Sequence, residues 1–434
     1  MRGNRGTAQI GRWTIIVASC AALLAAALPG SAAAPRPGSL DAAFGRAGKV
    51  TTRFAASGSV QLTTLVAQPD GKVVAGGYVE LEAGVGGVVV RYRANGSLDA
   101  GFGRGGIVRL DRPGEQVAVV DLAREANGMI VGVGTIDAVT DDPDADTRRI
   151  LLFGLRRDGS LDPSLGRVVT DLPTPVDVGV AIAVDARGRL VVGAQGGDAL
   201  RENRRFFVLR YTADGSVDPT FRVTETSFPE RPTSLLQDLA LDPEGRIVAA
   251  GYADSFDVPE PPPTLGVVAR CLPDGGLDPS FGDGGRVTIE STTLVAVVAQ
   301  PDGKVAVAGG DDSFEVLRLL PDGSRDPQFG RNGDVETRGG FSFASALVYR
   351  GGKLVAGGWN WPKRPGPQHF ALARYGARGR LDPTFGRGGR VTTTFSRGGE
   401  VIRALALDRR GRIVAGGAGF VGGGFRFTLA RYRG

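Results

Sequence analysis

Residues 66–77 read VAQPDGKVVAGG, a tight turn with an apolar run on each side. Its Asp-Gly pair is a two-residue turn signal that favours positive φ and joins antiparallel strands. A second phrase, NGSLDAGFG, follows at residues 95–103, where a turn leads into a Leu-Asp pair. The two phrases alternate along the chain with seven copies each. Internal repetition of this kind predicts a solenoid or a β-propeller.

The repeat covers nearly the whole chain. Successive turn glycines of the first phrase lie 49 to 60 residues apart, which leaves no room for a separate domain. These glycines are Gly71, Gly128, Gly188, Gly245, Gly303, Gly352 and Gly411. The aspartates of the second phrase are Asp41, Asp99, Asp162, Asp218, Asp278, Asp326 and Asp382. The sequence therefore predicts one repeat domain over residues 35–434.

Each unit reads as four strands, and two of them are apolar at consecutive positions, as in residues 73–75 (VVA) and 88–90 (VVV). Strands of a sheet with one solvent-exposed face alternate apolar and polar residues, so continuous apolar runs imply burial on both faces. A small antiparallel sheet buried on both faces is a propeller blade between its neighbours. The glycine pair after the second strand, as in Gly76-Gly77, fits close backbone approach between blades.

The chain ends distinguish a ring from a solenoid. The seventh unit stops at Gly434 after its third strand, whereas the chain begins near Asp41 with a second phrase and a strand of its own. A solenoid would need polar caps at both ends. Here residues 48–54 supply the strand that the last unit lacks. The sequence predicts an all-β, seven-bladed β-propeller with four antiparallel strands per blade, closed by the N-terminal strand.

The phrases resemble the delta-60 repeat family of bacterial exported proteins. The motifs that carry the resemblance are residues 300–305 (QPDGKV) with 308–310 (AGG), and 374–375 (RY) with 381–386 (LDPTFG). The resemblance covers residues 38–434 and implies a propeller-like fold. It implies no activity, ligand or cofactor.

Residues 1–34 predict a cleaved secretory signal peptide. An apolar stretch over 13–28 and a run of small residues follow a basic start. The basic residues are Arg2, Arg5 and Arg12. Cleavage is expected near residue 33 or 34, with a lipoprotein anchor at Cys20 as the alternative. We expect a secreted, extracytoplasmic protein with no membrane span after cleavage.

Composition excludes several functions. The formal charge of +6 includes three signal arginines, so the remaining surplus is small and spread out, and we expect no nucleic-acid partner. A single histidine excludes most histidine-dependent triads and multi-histidine metal sites. Cys271 stands where other units have tyrosine, so we expect a packed core thiol. The repeated aspartate, the phenylalanine three residues on and the arginine before tyrosine are expected to serve the blades.

Function is expected in loops that occur once. The loops between strands 2 and 3 vary in length, as do some between strand 4 and strand 1 of the next blade. Both kinds emerge on one face, while the other face is expected to keep short connections. One loop offers closely spaced carboxylates for Ca²⁺, the only cofactor suggested, although a solvated acidic loop is the alternative reading. These candidate ligands are Asp141, Asp142, Asp144 and Asp146. A second loop offers aromatic and basic groups for a ligand, or else caps its blade. Its residues are Trp359, Trp361, Lys363, Arg364 and His369.

We predict a monomeric, non-catalytic protein whose loop-rich face binds a glycan, a small molecule or an envelope protein. Two alternatives remain: a Ca²⁺-dependent, lactonase-like hydrolase with carboxylates at the central channel, and a structural cell-envelope repeat protein. Three or more carboxylates at the channel mouth would favour the enzyme. An exposed platform of Trp359 and Trp361 would favour the binding protein.

Overall fold

The computed structural model describes residues 36–434 except 56–57, 83, 139–146, 199–202, 229–230, 256–262, 291 and 363–365. Across these residues we find strands, turns and loops, and no helix able to cross a membrane. The first fourteen strands are β1 (Lys49–Thr52), β2 (Val60–Ala67), β3 (Val73–Leu81), β4 (Gly84–Tyr92), β5 (Ile107–Arg109), β6 (Glu115–Arg124), β7 (Ile130–Ala138), β8 (Arg149–Leu155), β9 (Arg167–Thr170), β10 (Val176–Val184), β11 (Leu190–Gly197), β12 (Arg205–Tyr211), β13 (Thr224–Thr226) and β14 (Thr233–Leu241). The others are β15 (Ile247–Asp254), β16 (Leu265–Cys271), β17 (Arg286–Glu290), β18 (Leu294–Ala299), β19 (Val305–Gly309), β20 (Phe314–Leu319), β21 (Asp334–Thr337), β22 (Phe341–Arg350), β23 (Lys353–Asn360), β24 (His369–Tyr375), β25 (Arg390–Thr393), β26 (Glu400–Leu407), β27 (Ile413–Phe420) and β28 (Phe425–Tyr432).

The strands form seven antiparallel four-stranded sheets, which are the blades. Blades 1 to 6 take four consecutive strands each, from β2–β5 in blade 1 to β22–β25 in blade 6. The first strands of successive blades contact each other, and β26 of blade 7 contacts β2 of blade 1. The chain is therefore a closed, all-β, seven-bladed propeller, as predicted.

The seventh blade combines both ends of the described chain, in the order β1-β28-β27-β26. Lys49 lies opposite Ala430, and Thr52 lies opposite Phe427. The predicted closing strand at residues 48–54 is confirmed, with observed bounds 49–52.

The apolar runs are buried because blades cover each other on both faces. Every residue of β11 and of β16 is buried. One apolar cluster joins Val73 and Val90 of blade 1 to Val414 and Leu429 of blade 7. The core is thus a set of interfaces between blades, which explains why apolar and polar residues do not alternate along these strands.

The repeated arginine, aspartate and phenylalanine form one Arg–Asp–Phe cluster per blade in six blades. In blade 1, Arg91 Nε donates to Asp99 Oδ2 at 2.8 Å, and its guanidinium lies 4.4 Å from the centre of the Phe102 ring. Arg91 also donates to the backbone carbonyl of Arg157 in blade 2. The other arginines of such clusters are Arg210, Arg270, Arg318, Arg374 and Arg431. The predicted structural role of these residues is confirmed.

The two faces of the ring differ in a way that was predicted only in part. Strand 2–3 loops vary, from residues 82–83 in blade 1 to 139–148 in blade 2. On the other face the strand 1–2 connections are short, as expected; that of blade 1 spans residues 68–72. The expectation is wrong for the strand 3–4 connections, since that of blade 1 spans residues 93–106. This connection holds the whole second phrase and folds through successive backbone hydrogen bonds.

Candidate functional site

Each first strand carries a β-bulge at the same place. In blade 1 the pairing shifts between Leu62 and Thr64, which leaves Thr63 as the extra residue. The seven extra residues are Thr63, Val120, Val180, Gln237, Val295, Ser345 and Arg403. A bulge re-aims a side chain, and all seven residues line one cavity of about 690 Å³. This cavity is the central channel.

In blades 1, 6 and 7 the second glycine of the pair (Gly77, Gly358 and Gly417) makes room for the bulge. A Cβ on Gly77 would lie 2.0 Å from the backbone oxygen of Gln61 in the same blade. The first glycine faces the neighbouring blade, since a Cβ on Gly76 would lie 2.9 Å from Val119 Cγ1 of blade 2. The predicted close approach between blades is therefore confirmed for the first glycine and wrong for the second.

Aromatic side chains surround the mouth of the channel on the loop-rich face. Tyr78, Tyr252 and Trp359 each follow a glycine in the second strand of their blade, and all three line the channel. The Trp359 ring stacks on Phe343, with centroids 4.9 Å apart and planes inclined by 18°. The Arg403 guanidinium lies 5.6 Å from the centre of the Trp359 ring. The mouth thus combines flat apolar faces with a cation.

Arg403 is the one charged residue among the seven bulge positions. Its side chain is exposed to the channel. Desolvation lowers the pKa of Arg403, and the electrostatic neighbour that opposes this shift is the phenol of Tyr78 rather than a carboxylate of the described chain. A guanidinium remains protonated at neutral pH. The channel therefore holds a cation with no paired carboxylate among the described residues.

Two carboxyl groups stand one position after the bulge, in blades 2 and 4. Asp121 Oδ2 accepts the backbone N–H of Ile182 in blade 3 at 2.9 Å. Asp238 Oδ2 accepts the backbone N–H of Val297 in blade 5 at 2.8 Å. Asp121 also accepts the hydroxyl of Thr64 in blade 1 at 2.8 Å. Each carboxyl group therefore connects its blade to a neighbour.

Both of these groups hold protons more tightly than usual. Burial raises the pKa of Asp238 to about 8, and the charge of Asp121 adds to the shift. Burial also raises the pKa of Asp121. At neutral pH Asp238 is mostly uncharged, because an acid with a pKa near 8 keeps its proton there. At neutral pH the Asp238 carboxyl group therefore offers Arg403 no strong counter-charge.

The structure describes three of the five residues of the predicted ligand site, and their side chains have different partners. Trp359 lines the channel, whereas Trp361 lies in the following loop and donates from Nε1 to the carbonyl of Gly366 at 2.7 Å. His369 Nδ1 lies 3.1 Å from Oε1 of the buried Glu400 in blade 7. Lys363 and Arg364 fall outside the described residues. The side chains of Trp359 and Trp361 therefore have different surroundings, and a joint binding role for the five residues stays a prediction.

The candidate Ca²⁺ ligands cannot be placed, since they all fall outside the described residues; they are Asp141, Asp142, Asp144 and Asp146. Within the described chain, no group of three or more His, Cys, Asp or Glu side chains is arranged to hold a metal ion. The described lining of the channel contains two carboxyl groups, those of Asp121 and Asp238, where the enzyme criterion required three.

Sequence reasoning missed Arg403, Phe343 and the two channel aspartates. A signal for Arg403 was present, because residues 401–407 (VIRALAL) contain one charge in an apolar first strand. Residues 235–241 (LLQDLAL) contain Asp238 in the same way. Comparing the seven first strands position by position would have found both residues.

A model of a β-propeller domain of unknown function, DUF5122, matches residues 68–102, 188–221, 300–329 and 352–385. Each segment runs from a first-phrase turn to the phenylalanine of the next second phrase. The match supports a propeller repeat family, and the delta-60 name remains a prediction. The matched segments include none of the seven bulge residues, although they contain two aromatic residues of the channel lining, Tyr78 and Trp359.

No curated protein matches this chain. Solved structures that it is similar to include a protein of unknown function from Bacteroides caccae, with 14% identity, 81% of this chain and 100% of that chain covered, and a TM-score of 0.43. Sqt1 from Chaetomium thermophilum shares 13% identity over 87% of this chain and 97% of its own, with a TM-score of 0.47. The α-L-arabinofuranosidase arb93a from Fusarium graminearum shares 10% sequence identity. The match covers 86% of this chain and 93% of that chain, with a TM-score of 0.47. Likenesses of this size carry no inference about activity.

Proposed function

We propose that this chain is a non-catalytic binding protein that holds a glycan at the mouth of its central channel, on the loop-rich face. The observation that carries the proposal is the stack of Trp359 on Phe343 beside Arg403. Aromatic faces next to a cation suit a ring that has apolar C–H faces and polar edges. Binding sites on a rigid scaffold commonly combine apolar walls with a few polar groups.

The rest of the mouth supplies those polar groups. Gln61 and Gln237 line the same cavity as the aromatic stack. Their side-chain amides both donate and accept hydrogen bonds, as sugar hydroxyls require. The channel carboxyls are already engaged, since both oxygens of Asp121 and of Asp238 accept hydrogen bonds from protein groups. This engagement supports binding rather than carboxylate catalysis.

A glycan-binding screen of the purified protein tests the proposal, followed by titration of each hit against two tryptophan variants. Trp359→Ala should weaken binding about tenfold or more, since stacking and burial of an aromatic face are lost. Trp361→Ala is the matched control and should bind like wild type. Equal binding by Trp359→Ala and wild type would reject this site. A screen without any hit would favour the structural envelope role.

Secretion and a monomeric state form part of the same proposal. Residues 1–34 have the pattern of a signal peptide, and a closed ring leaves no unpaired first and last blade edges. Amino-terminal sequencing of exported protein should find a start near residue 35, and light scattering should give the mass of one chain. A start at Cys20 would instead identify a lipoprotein.

A hydrolase remains the second candidate, and one observation favours it. Asp238, with its pKa raised to about 8, is close enough to Asp121 for their charges to interact, so the channel holds two coupled carboxyl groups, of which Asp238 is mostly protonated at neutral pH, and glycosidases use such carboxyl pairs. If this candidate is right, bound glycans should lose chain length on incubation, and Asp238→Asn should stop the loss. Intact glycans after prolonged incubation would exclude it.

A further inference from the structure

Backbone amides of the channel wall already bind carboxyl groups at two places. Asp121 Oδ2 accepts the amide of Ile182 at 2.9 Å, and Asp238 Oδ2 accepts the amide of Val297 at 2.8 Å. In both cases the amide belongs to the residue two positions after the bulge of the following blade. The backbone N–H at this position is therefore accessible to a carboxylate from the channel side.

The same amide recurs in every blade. Ile182 pairs with Val192 across β10 and β11, and Leu65 pairs with Ala75 at the equivalent position of blade 1. Because N–H groups alternate in direction along a strand, residues in equivalent register point the same way. The equivalent amides of blades 6, 7 and 1 belong to Leu347, Leu405 and Leu65.

Those three amides receive no carboxylate from the preceding blade. The residues that stand where Asp121 and Asp238 stand are Ala296, Ala346 and Ala404. A methyl group accepts no hydrogen bond, so no side chain at this position of the preceding blade occupies the amides of this arc. The leucines of these amides all line the cavity. The arc is formed by three consecutive blades.

Arg403 projects from the middle blade of this arc, beside Trp359 of blade 6 and Tyr78 of blade 1. Partly desolvated charges in proteins are normally paired, because an unpaired one is costly. Here Arg403 has no carboxylate partner among the described residues. A cation and three unused amides therefore face one region of the channel.

We propose that the ligand carries a carboxylate, held by the Arg403 guanidinium together with the amides of Leu65, Leu347 and Leu405. The ligand class is an acidic sugar, a uronic acid or an oligosaccharide that contains one; this assignment rests on the binding function proposed above. The ring would stack on Trp359, and the carboxylate would take the place that Asp121 and Asp238 take in blades 2 and 4. Guanidinium and carboxylate match in geometry and form two parallel hydrogen bonds.

Isothermal titration with two matched probes tests this assignment. Oligogalacturonate carries the carboxylates, and its methyl ester keeps the rings without the charge. The acid should bind about tenfold or more tightly than the ester, since charge-assisted hydrogen bonds are the stronger ones. Arg403→Gln should remove this preference. Arg410→Gln, an exposed arginine in a turn of the other face, is the control and should retain it.

A second variant tests the amides without removing the arginine. Ala346→Asp places a carboxylate where blades 2 and 4 have one, next to the amide of Leu405. This variant should bind oligogalacturonate about tenfold or more weakly, because the internal carboxylate competes for the same backbone N–H donors. Its melting temperature, compared with wild type, shows whether the fold is retained.

Three results would overturn the carboxylate assignment. They are equal affinity for acid and ester, unchanged preference in Arg403→Gln, and binding of a sulfated oligosaccharide in place of the uronate. If Trp359→Ala still abolishes binding in any of these cases, the proposed function stands and only the ligand class is wrong. If either probe binds Trp359→Ala as tightly as wild type, both the ligand class and the proposed function are rejected.

Discussion

Arg431 and Asp41 stand 390 positions apart in the chain, and their side chains meet at 2.9 Å. Arg412 of the last blade donates to the same carboxylate at 3.0 Å. Arg431 also donates from Nη1 to the backbone oxygen of Ala94 in blade 1, at 2.7 Å. This cluster connects the N-terminal segment, the seventh blade and the first blade, so it closes the ring through side chains as β1 closes it through the backbone.

Asp41→Asn should lower the free energy of unfolding by about 3 kcal/mol, because it leaves the buried guanidinium of Arg431 without its ion-pair partner, whereas Arg412 keeps Asp408. Burial opposes ionisation, but the Ala43 amide and the two arginines outweigh it and lower the pKa of Asp41 below 3.8. The ionised pair therefore stabilises the fold above about pH 4 and is lost as the pH falls through the folded pKa. Denaturant unfolding of wild type and Asp41→Asn should show a difference in unfolding free energy that is smaller at pH 3 than at pH 7.

Blade 2 supplies the control for this prediction. Asp162 occupies the same repeat position, but its basic contact is the exposed Arg156 at 3.7 Å. Asp162→Asn should cost less than about 1 kcal/mol, as exposed pairs do. Equal losses in the two variants would show that the cluster does not stabilise ring closure.

Gly251→Ala should destabilise blade 4 by about 1–3 kcal/mol through overpacking. A Cβ at this position would lie 2.0 Å from the backbone oxygen of Leu235, so the bulge would have to shift. Gly424→Ala is the control, since a Cβ there meets nothing within 4 Å. Thermal unfolding of both variants measures the cost. A neutral Gly251→Ala would mean that the bulge is not fixed by this contact.

The ring was predictable because its signals repeat. Seven copies of each phrase set the blade count, and the offset between them placed the closing strand within two residues of its observed bounds, Lys49–Thr52. The role of Asp99 followed from the same repetition. The channel was not predictable in this way, because a bulge changes which residues face inward and leaves no periodic signal. Arg403 and Trp359 meet only when blades 6 and 7 are packed together.

Asp238 should make the protein less stable as the pH rises from about 4 to about 8. Its folded pKa of about 8 lies above the ordinary value of 3.8, so between these values the unfolded chain loses a proton that the folded chain keeps. Asp238→Asn resembles the protonated group and should remove its part of the pH dependence of stability, leaving the contribution of Asp121, whose pKa is also raised. Unfolding free energies at pH 5 and pH 8 test the prediction. An equal change in unfolding free energy between pH 5 and pH 8 for wild type and Asp238→Asn would contradict the prediction.

Blade 2 lacks the Arg–Asp–Phe cluster through two linked changes. Gly154 stands at the arginine position and Leu165 at the phenylalanine position, and a Cβ on Gly154 would lie 2.9 Å from Leu165 Cδ2. The leucine thus fills space that the missing side chain leaves. Neither residue can change alone without a clash or a poor fit, so each single variant, Gly154→Arg and Leu165→Phe, should lose about 1–3 kcal/mol.

The double variant should recover much of that loss. A new guanidinium could then stack on the new ring and pair with Asp162, as Arg91 does with Phe102 and Asp99. Contacting residues in one network show coupling of about 0.5–3 kcal/mol, and we expect at least about 1 kcal/mol in the favourable direction. Denaturant unfolding of wild type, both single variants and the double variant gives the coupling directly. Additive losses would mean that the cluster depends on more of the blade than these two positions, with Met129, which replaces the first-phrase lysine, as the next residue to restore.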